Sequence, residues 1–219
     1  MSDTHLDHYN IALHCNRTPW LIPNPDFNPN LPEHKKTNAK HLVKLEEFNY
    51  DFIKSYNNIV STRDLTYIIG DFAWKRHSHF IQALNGKKIL ILGNHDKMDQ
   101  NSLRLFTEVH TLFRRIIDGI DVTMCHFPMI SWANSIHGSW CLHGHCHGRL
   151  PENRSRLTFD VGIDIWNYKP IPWELVKFKM SKFNRAGCNV IDFTESDNHF
   201  EDLKKSNKLI ITEFEGGKI

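Results

Sequence analysis

Residues 141–148 read CLHGHCHG, which sets histidines at 143, 145 and 147 with glycine and cysteine between them. In an extended backbone alternate side chains share a face, about 6.6–7 Å apart, so these imidazoles would meet one common object. Glycine at 144 would let the backbone bend or come close to a neighbour. Such a stretch fits a solvated histidine-rich loop, a structural zinc site with Cys141 or Cys146 as thiolate ligand, or part of a larger metal centre. More donors stand elsewhere: Asp3 and His5 in SDTH, Asp71 in IGD, Asn94 in GNHD and His126 in MCHFP. With His145 and His147 they make seven oxygen and nitrogen donors, too many for one tetrahedral zinc and enough for two cations sharing a carboxylate. Two cations about 3.5–4 Å apart clamp a phosphate and activate a bridging water for in-line attack. Mixed carboxylate, amide and imidazole donors suit Mn²⁺, Fe, Ni²⁺, Co²⁺ or Zn²⁺. A structural zinc would want thiolates at C-x-x-C-like spacing, which the cysteines at 15, 125, 141, 146 and 188 lack.

These donors need elements to position them. TPWLIPNPDFNPNLPEHK carries five prolines between Pro19 and Pro32 and reads as an extended surface loop. Leu42, Leu45, Phe48, Phe52 and Tyr56 recur at three- and four-residue steps, which predicts an amphipathic helix over 38–57. LTYIIGD (65–71) and KKILILGNHD (87–96) read as buried strands, with a short helix between them that stops at Asn85-Gly86. A third helical segment is expected near 99–108, and FRRIIDGIDVTMCHFPM (113–129) as a hairpin turning at Asp118-Gly119. SWCLHGHCH and LTFDVGIDIW supply the last strands. The order suggests an α/β or α+β sheet sandwich with helices outside. Asp71, Asn94, His126 and the later histidines all fall where strands stop, which is where open α/β sheets place ligands.

At 219 residues, 40% hydrophobic and 24% charged, the chain is long enough for one domain with a sizeable core. A net charge of +2 argues against nucleic acid as the default partner, although a local basic patch stays open. No apolar run approaches the ~20 residues of a membrane helix. The polar start MSDTHLDHYN is unlike a secretory leader, and the cysteines show no disulfide framework, so a cytoplasmic setting with reduced thiols is expected.

SDTH, GD, GNHD, the His before FP, and GHCH, in that order, resemble the calcineurin-like metallophosphoesterase superfamily. The longer stretches SDTHLDHYNIA, CNRTPW, LNGKKILILGNHD, HFPMISW and DVGIDIWNYKPIPWELV are similar to its small bacterial and phage members. The resemblance covers about residues 1–178 and leaves 179–219 as an extension of unread role, with NVIDF and KLIITEF as candidate strands. It implies a four-layer sandwich of two mixed β-sheets flanked by helices. It further implies that Asp3, His5 and His147 hold one divalent metal, Asn94, His126 and His145 a second, and that Asp71 bridges them, with Mn²⁺ the favoured ion. His95 would be the general acid, oriented by Asp96, while His8 and Arg17 would lie near the site in reach of substrate phosphate, with pairing to a surface carboxylate the equal alternative for Arg17. The reaction implied is hydrolysis of a phosphorylated small molecule or nucleotide, as monoester or diester. A nuclease of the same superfamily and a non-catalytic metal-binding protein are the rivals.

The remaining candidates follow from residue type. His143 is expected in the core, and Cys125 and Cys146 as small packed residues. Trp132, Trp140 and Trp166 are candidates for a pocket wall, with packing their commoner use. Only Met1 and Ser2 precede Asp3, where the resemblance implies a hydrophobic strand. Two explanations compete: a shortened form of a longer chain, which is favoured, or a site that tolerates a frayed first strand. Termini outside a sheet are usually mobile, so either predicts weaker metal binding at Asp3/His5/His147 than at Asn94/His126/His145.

Overall fold

The computed structural model describes residues 1–31, 39–151 and 156–183. The strand-like runs expected in the tail lie outside the described residues.

The LTYII run forms β3 (Leu65–Ile69), where successive side chains turn to opposite faces: Ile68 enters one apolar cluster and Ile69 another. Strand β4 (Lys87–Ile91) divides Leu90 from Ile89 and Ile91 in the same way and pairs parallel to β3. Strand β5 (Glu108–His110) pairs parallel to β4, so the three-stranded sheet is wholly parallel where a mixed sheet was expected. The second sheet has the order β6 (Leu112–Ile117), β7 (Ile120–Cys125), β8 (Trp140–His143), β9 (Thr158–Asp160). It is mixed: β6–β7 is antiparallel, turning at Asp118-Gly119 as expected, and the other pairs are parallel.

Helices cover these sheets. Phe48, Phe52 and Tyr56, four residues apart along α2 (Leu45–Ile59), bury with Ile68 and Leu90. Phe80 and Ile81 of α3 (His77–Ala83) join the same cluster. The second cluster takes the other faces of β3 and β4, the four-stranded sheet, and Val176 and Met180 of α5 (Trp173–Met180). The result is a mixed α/β fold with several sheets flanked by helices.

Two segments expected to be helical are cut short. Leu42 lies in β2 (His41–Val43), paired with Ile22 of β1 (Leu21–Pro23), so α2 begins only at Leu45. The helix near 99–108 shrinks to α4 (Gln100–Leu103), capped by the Asp99 carboxylate, because 108–110 joins the sheet. The remaining helix, α1 (Tyr9–His14), follows SDTH. Among the described residues no helix is long and apolar enough to cross a membrane.

The first residues overturn the expectation of a mobile start. Ile69 N–H donates to Met1 O (2.8 Å) and Asp3 N–H to Gly70 O (3.1 Å) on one side. On the other, Ser2 N–H donates to Val161 O and Ile163 N–H to Ser2 O, both at 3.0 Å. Residues 1–3 are therefore a buried seam between the two sheets. The sheets also meet at their other edges, where β5 runs into β6 across Thr111 alone.

Candidate metal centre

Every strand that delivers a candidate donor stops just before it. Ile69 ends β3 before Gly70-Asp71, Ile91 ends β4 before Asn94, Cys125 ends β7 before His126, and His143 ends β8 before His145. The extended backbone anticipated for 143–147 stops at His143, since His145 (φ 70°) and His147 (φ 49°) are left-handed. Asp3, His5 and Asp71 are left-handed too, at φ 58°, 47° and 54°. Non-glycine residues avoid this region at a cost of about 1–2 kcal/mol each. Five of the seven donors are thus held in strained backbone, a pattern that clusters at functional sites.

The donor atoms converge. Asp3, His5 and His147 place ligand atoms within 4.8 Å of one another, as do Asp3, Asp71 and His126. Asp71 Oδ2 lies 3.4 Å from His5 Nε2 and 3.4 Å from His126 Nε2. His126 Nδ1 meets the Ile69 carbonyl at 3.0 Å, which turns Nε2 toward Asp71 and toward Asn94 Oδ1 at 3.0 Å. The His145 ring stands 5.1 Å from that of His126, and its backbone N–H donates to Asp3 Oδ2. Asp3 Oδ1 and His5 Nε2 are buried with no hydrogen-bond partner. Buried polar atoms are rarely left so, and both are Lewis bases, so the donor set fits divalent cations. Neither Cys141 nor Cys146 belongs to a donor group among the described residues.

The electrostatics match closely packed donors. Burial pushes the Asp3 carboxyl up to about 6. Burial also lowers His5 to about 2, so that ring is neutral. Burial raises Asp71, but the bond and charge of His126 outweigh it and hold the carboxyl at about 2. Burial likewise opposes the charge on His147, yet the Asp164 carboxylate 2.7 Å from Nδ1 and the Cys15 thiol push it up to about 10.

Other expected residues are placed differently. Arg17 is fully buried and turned inward: Nε and Nη2 fork onto Asp164 at 2.8 and 3.0 Å, and further N–H groups donate to the carbonyls of Thr4 and Asp3. Its charge is spent on holding the SDTH loop and Asp164, not on substrate phosphate. Asp96 accepts from the backbone N–H groups of Asp71, Phe72 and Gly93 at 2.8 Å each, so it ties two loops together and does not bond the His95 ring. His95 N–H donates to Asp71 Oδ1, and its ring stands 5.5 Å from that of His5. His8 Nδ1 lies 3.3 Å from His5 Nδ1. His143 is buried as expected; Trp132 and Trp140 are core residues and Trp166 packs against the same cluster, beside Phe159, so none of the three walls this site.

Sequence reasoning missed Asp164 and Trp74. Asp164 orients His147 as carboxylates orient metal-binding histidines, and only its place inside DVGIDIW hinted at it. Trp74 is 45% exposed beside His8 and His95, and no spacing rule would have picked it out. A cleft of about 590 Å³, lined by Leu65, Val161 and Trp173 among others, opens at the start of β3; none of the donors lines it.

Comparisons with known proteins agree with this geometry. The chain is 30% identical over 187 residues to an uncharacterized protein of Methanocaldococcus jannaschii, covering 80% of this chain and 86% of that one. It is 26% identical to the Gene 66 protein of Mycobacterium phage L5 (56% of this chain, 76% of the relative) and 26% identical to that of phage D29 (76% and 87%). A crystal structure of a protein of unknown function from Aquifex aeolicus shares the fold, with TM-score 0.50 and 22% identity over 78% of this chain and 92% of that one. The profile of the calcineurin-like phosphoesterases matches residues 1–211. The chain belongs to the calcineurin-like phosphoesterase family and is a metal-dependent hydrolase of phosphoric esters.

Proposed function

We propose that the chain hydrolyses a phosphorylated small molecule or nucleotide at a dinuclear centre. Asp3, His5 and His147 hold one cation, Asn94, His126 and His145 the other, and Asp71 is shared. The observation that carries this reading is the position of Asp71 Oδ2, 3.4 Å from the Nε2 atoms of both His5 and His126. One carboxylate oxygen between two donor groups is the arrangement a bridging ligand needs. Mn²⁺ is the favoured ion, one of those that mixed carboxylate, amide and imidazole donors suit.

The two cations, when bound, supply positive charge for the phosphate oxygens and an activated water in line with the leaving group. The chain does the rest. Asp164 and Arg17 fix His147 and the SDTH loop, while the Ile69 carbonyl fixes the ring of His126. As the water oxygen bonds to phosphorus and sheds a proton to solvent, the bond to the leaving oxygen breaks and its electron pair stays on that oxygen. His95 then donates its ring proton there, a task histidine performs near neutral pH.

Metal analysis alongside turnover tests the proposal. Protein loaded with Mn²⁺ should carry close to two ions and cleave p-nitrophenyl phosphate or its diester, and chelation should abolish both. One tightly held ion, with turnover indifferent to chelator, would refute the dinuclear reading.

A further inference from the structure

Most side chains around the donor cluster are explained by the cluster. Trp74 is not. A singly exposed apolar side chain is ordinary on a protein surface. Trp74 differs in its position and in how firmly it is held. Its backbone N–H donates to Leu6 O at 2.7 Å, beside the SDTH loop. One face of its indole lies on the His8 ring at 4.3 Å, with 8° between the planes. The His95 ring stands 5.8 Å away and is tilted by 51°. Nearly half of the side chain still faces solvent.

The cations of this flank are Lys75, which is exposed, and Arg76. The Arg76 guanidinium, two residues along, is committed to Asp7 and Glu46, the latter at 2.7 Å. A second exposed aromatic, Phe127, sits edge-on to His145 at 4.7 Å, beside donors of the other group. The surface next to the proton donor is therefore aromatic, rigid and open.

The geometry points to Trp74 as the platform for a planar aromatic ring carried by the leaving group. This rests on the hydrolytic reading above, in which His95 protonates the leaving oxygen. A group attached to that oxygen would come within reach of the indole, whose ring stands 5.8 Å from that of His95. A flat ring there would extend the His8–Trp74 stack, and tryptophan buries such a ring with little loss of side-chain freedom. The ligand chemistry is a phosphoester of an aryl or nucleobase-bearing alcohol. Saturated and purely sugar-like leaving groups would gain less from the indole, because they lack the ring-on-ring stacking.

Non-cleavable phosphonates test this by equilibrium binding to the metal-loaded protein. Phenylphosphonate is compared with cyclohexylphosphonate, and the phosphonate analogue of adenosine 5′-monophosphate with that of ribose 5-phosphate. In each pair the flat member should bind roughly tenfold more tightly, the usual scale of ring stacking on an aromatic side chain. Trp74→Leu should bring the ratios close to one, while Trp74→Phe keeps most of the preference. A gain confined to one pair supports the platform and names the source of the ring. Ratios near one in the unaltered protein would overturn the proposal while leaving phosphonate binding, and the hydrolase, intact. So would a preference that survives Trp74→Leu or disappears in Phe127→Leu. Failure of every phosphonate to bind the metal-loaded protein would instead overturn the hydrolytic reading itself.

Discussion

His95 and Asp71 share a hydrogen bond between two loops, yet their substitutions should separate cleanly. His95→Ala removes a proton donor and leaves every ligand atom of the centre in place. Both metals should remain, and turnover should slow by about 10²–10⁴-fold, with a smaller loss for leaving groups that need no proton. Asp71→Ala removes the shared carboxylate and should release metal, as measured by elemental analysis. Equal metal loss in the two variants would contradict the roles assigned to them. His147 gives a second test. Its pKa near 10 in the metal-free protein means that the ring is protonated at pH 7, whereas a ligand nitrogen must be free of its proton. Metal uptake at neutral pH should therefore release a proton, and apparent affinity should rise with pH up to about 10. Calorimetric titration in buffers of different ionisation enthalpy reads this directly; heats independent of buffer would refute it. The sign for the metal-free fold is the reverse. The raised pKa adds stability in full below the ordinary value of 6.5, and that stability is lost as pH rises through about 10.

The strand ends gather the donors, and small residues let them close in. A Cβ at Gly144 would fall on Ser2 Oγ and Asp3 Oδ2, so only glycine lets the segment after β8 pass the SDTH loop. Gly144→Ala should push Asp3 out of position, lower the melting temperature and cut metal affinity at least about tenfold, with an overpacking cost of about 1–3 kcal/mol. Unchanged melting and metal content would show that the two segments can slide apart. Much of this scale was legible in the chain. The runs LTYII and KKILI announce strands through side-chain pattern, and the polar residues just past them announce a site. Asp3, His5 and His147 converge as their motifs implied. What could not be read was anything fixed by partners distant in sequence. Leu42 has helical spacing, yet it pairs with Ile22 in a sheet. The left-handed backbone of His145 and His147 replaces the extended one their alternation suggested, because contacts across the fold over-determine it. Arg17 could be read by type as a phosphate contact or as the partner of a carboxylate, but which carboxylate could not be read, since Asp164 is 147 residues away.

At the scale of the whole molecule, one three-residue segment does two jobs. Met1, Ser2 and Asp3 bond β3 on one side and the chain after β9 on the other, and Asp3 is also a metal-ligand candidate. Closing the two sheets and completing the site are therefore one event seen from two places. Thermodynamic reciprocity then applies: the free energy by which bound metal steadies the seam equals the free energy by which a closed seam strengthens metal binding. Hydrogen exchange makes the linkage visible. The amides of Asp3, Ile69 and Ile163, which donate across the seam, should exchange more slowly in the metal-loaded protein. Amides of the β6–β7 hairpin, far from the seam in the ladder, should change little. Uniform slowing over both regions would point to global stabilisation instead. The metal ions would then act as a latch on the architecture, and their occupancy as a gauge of how firmly two halves of a protein are shut.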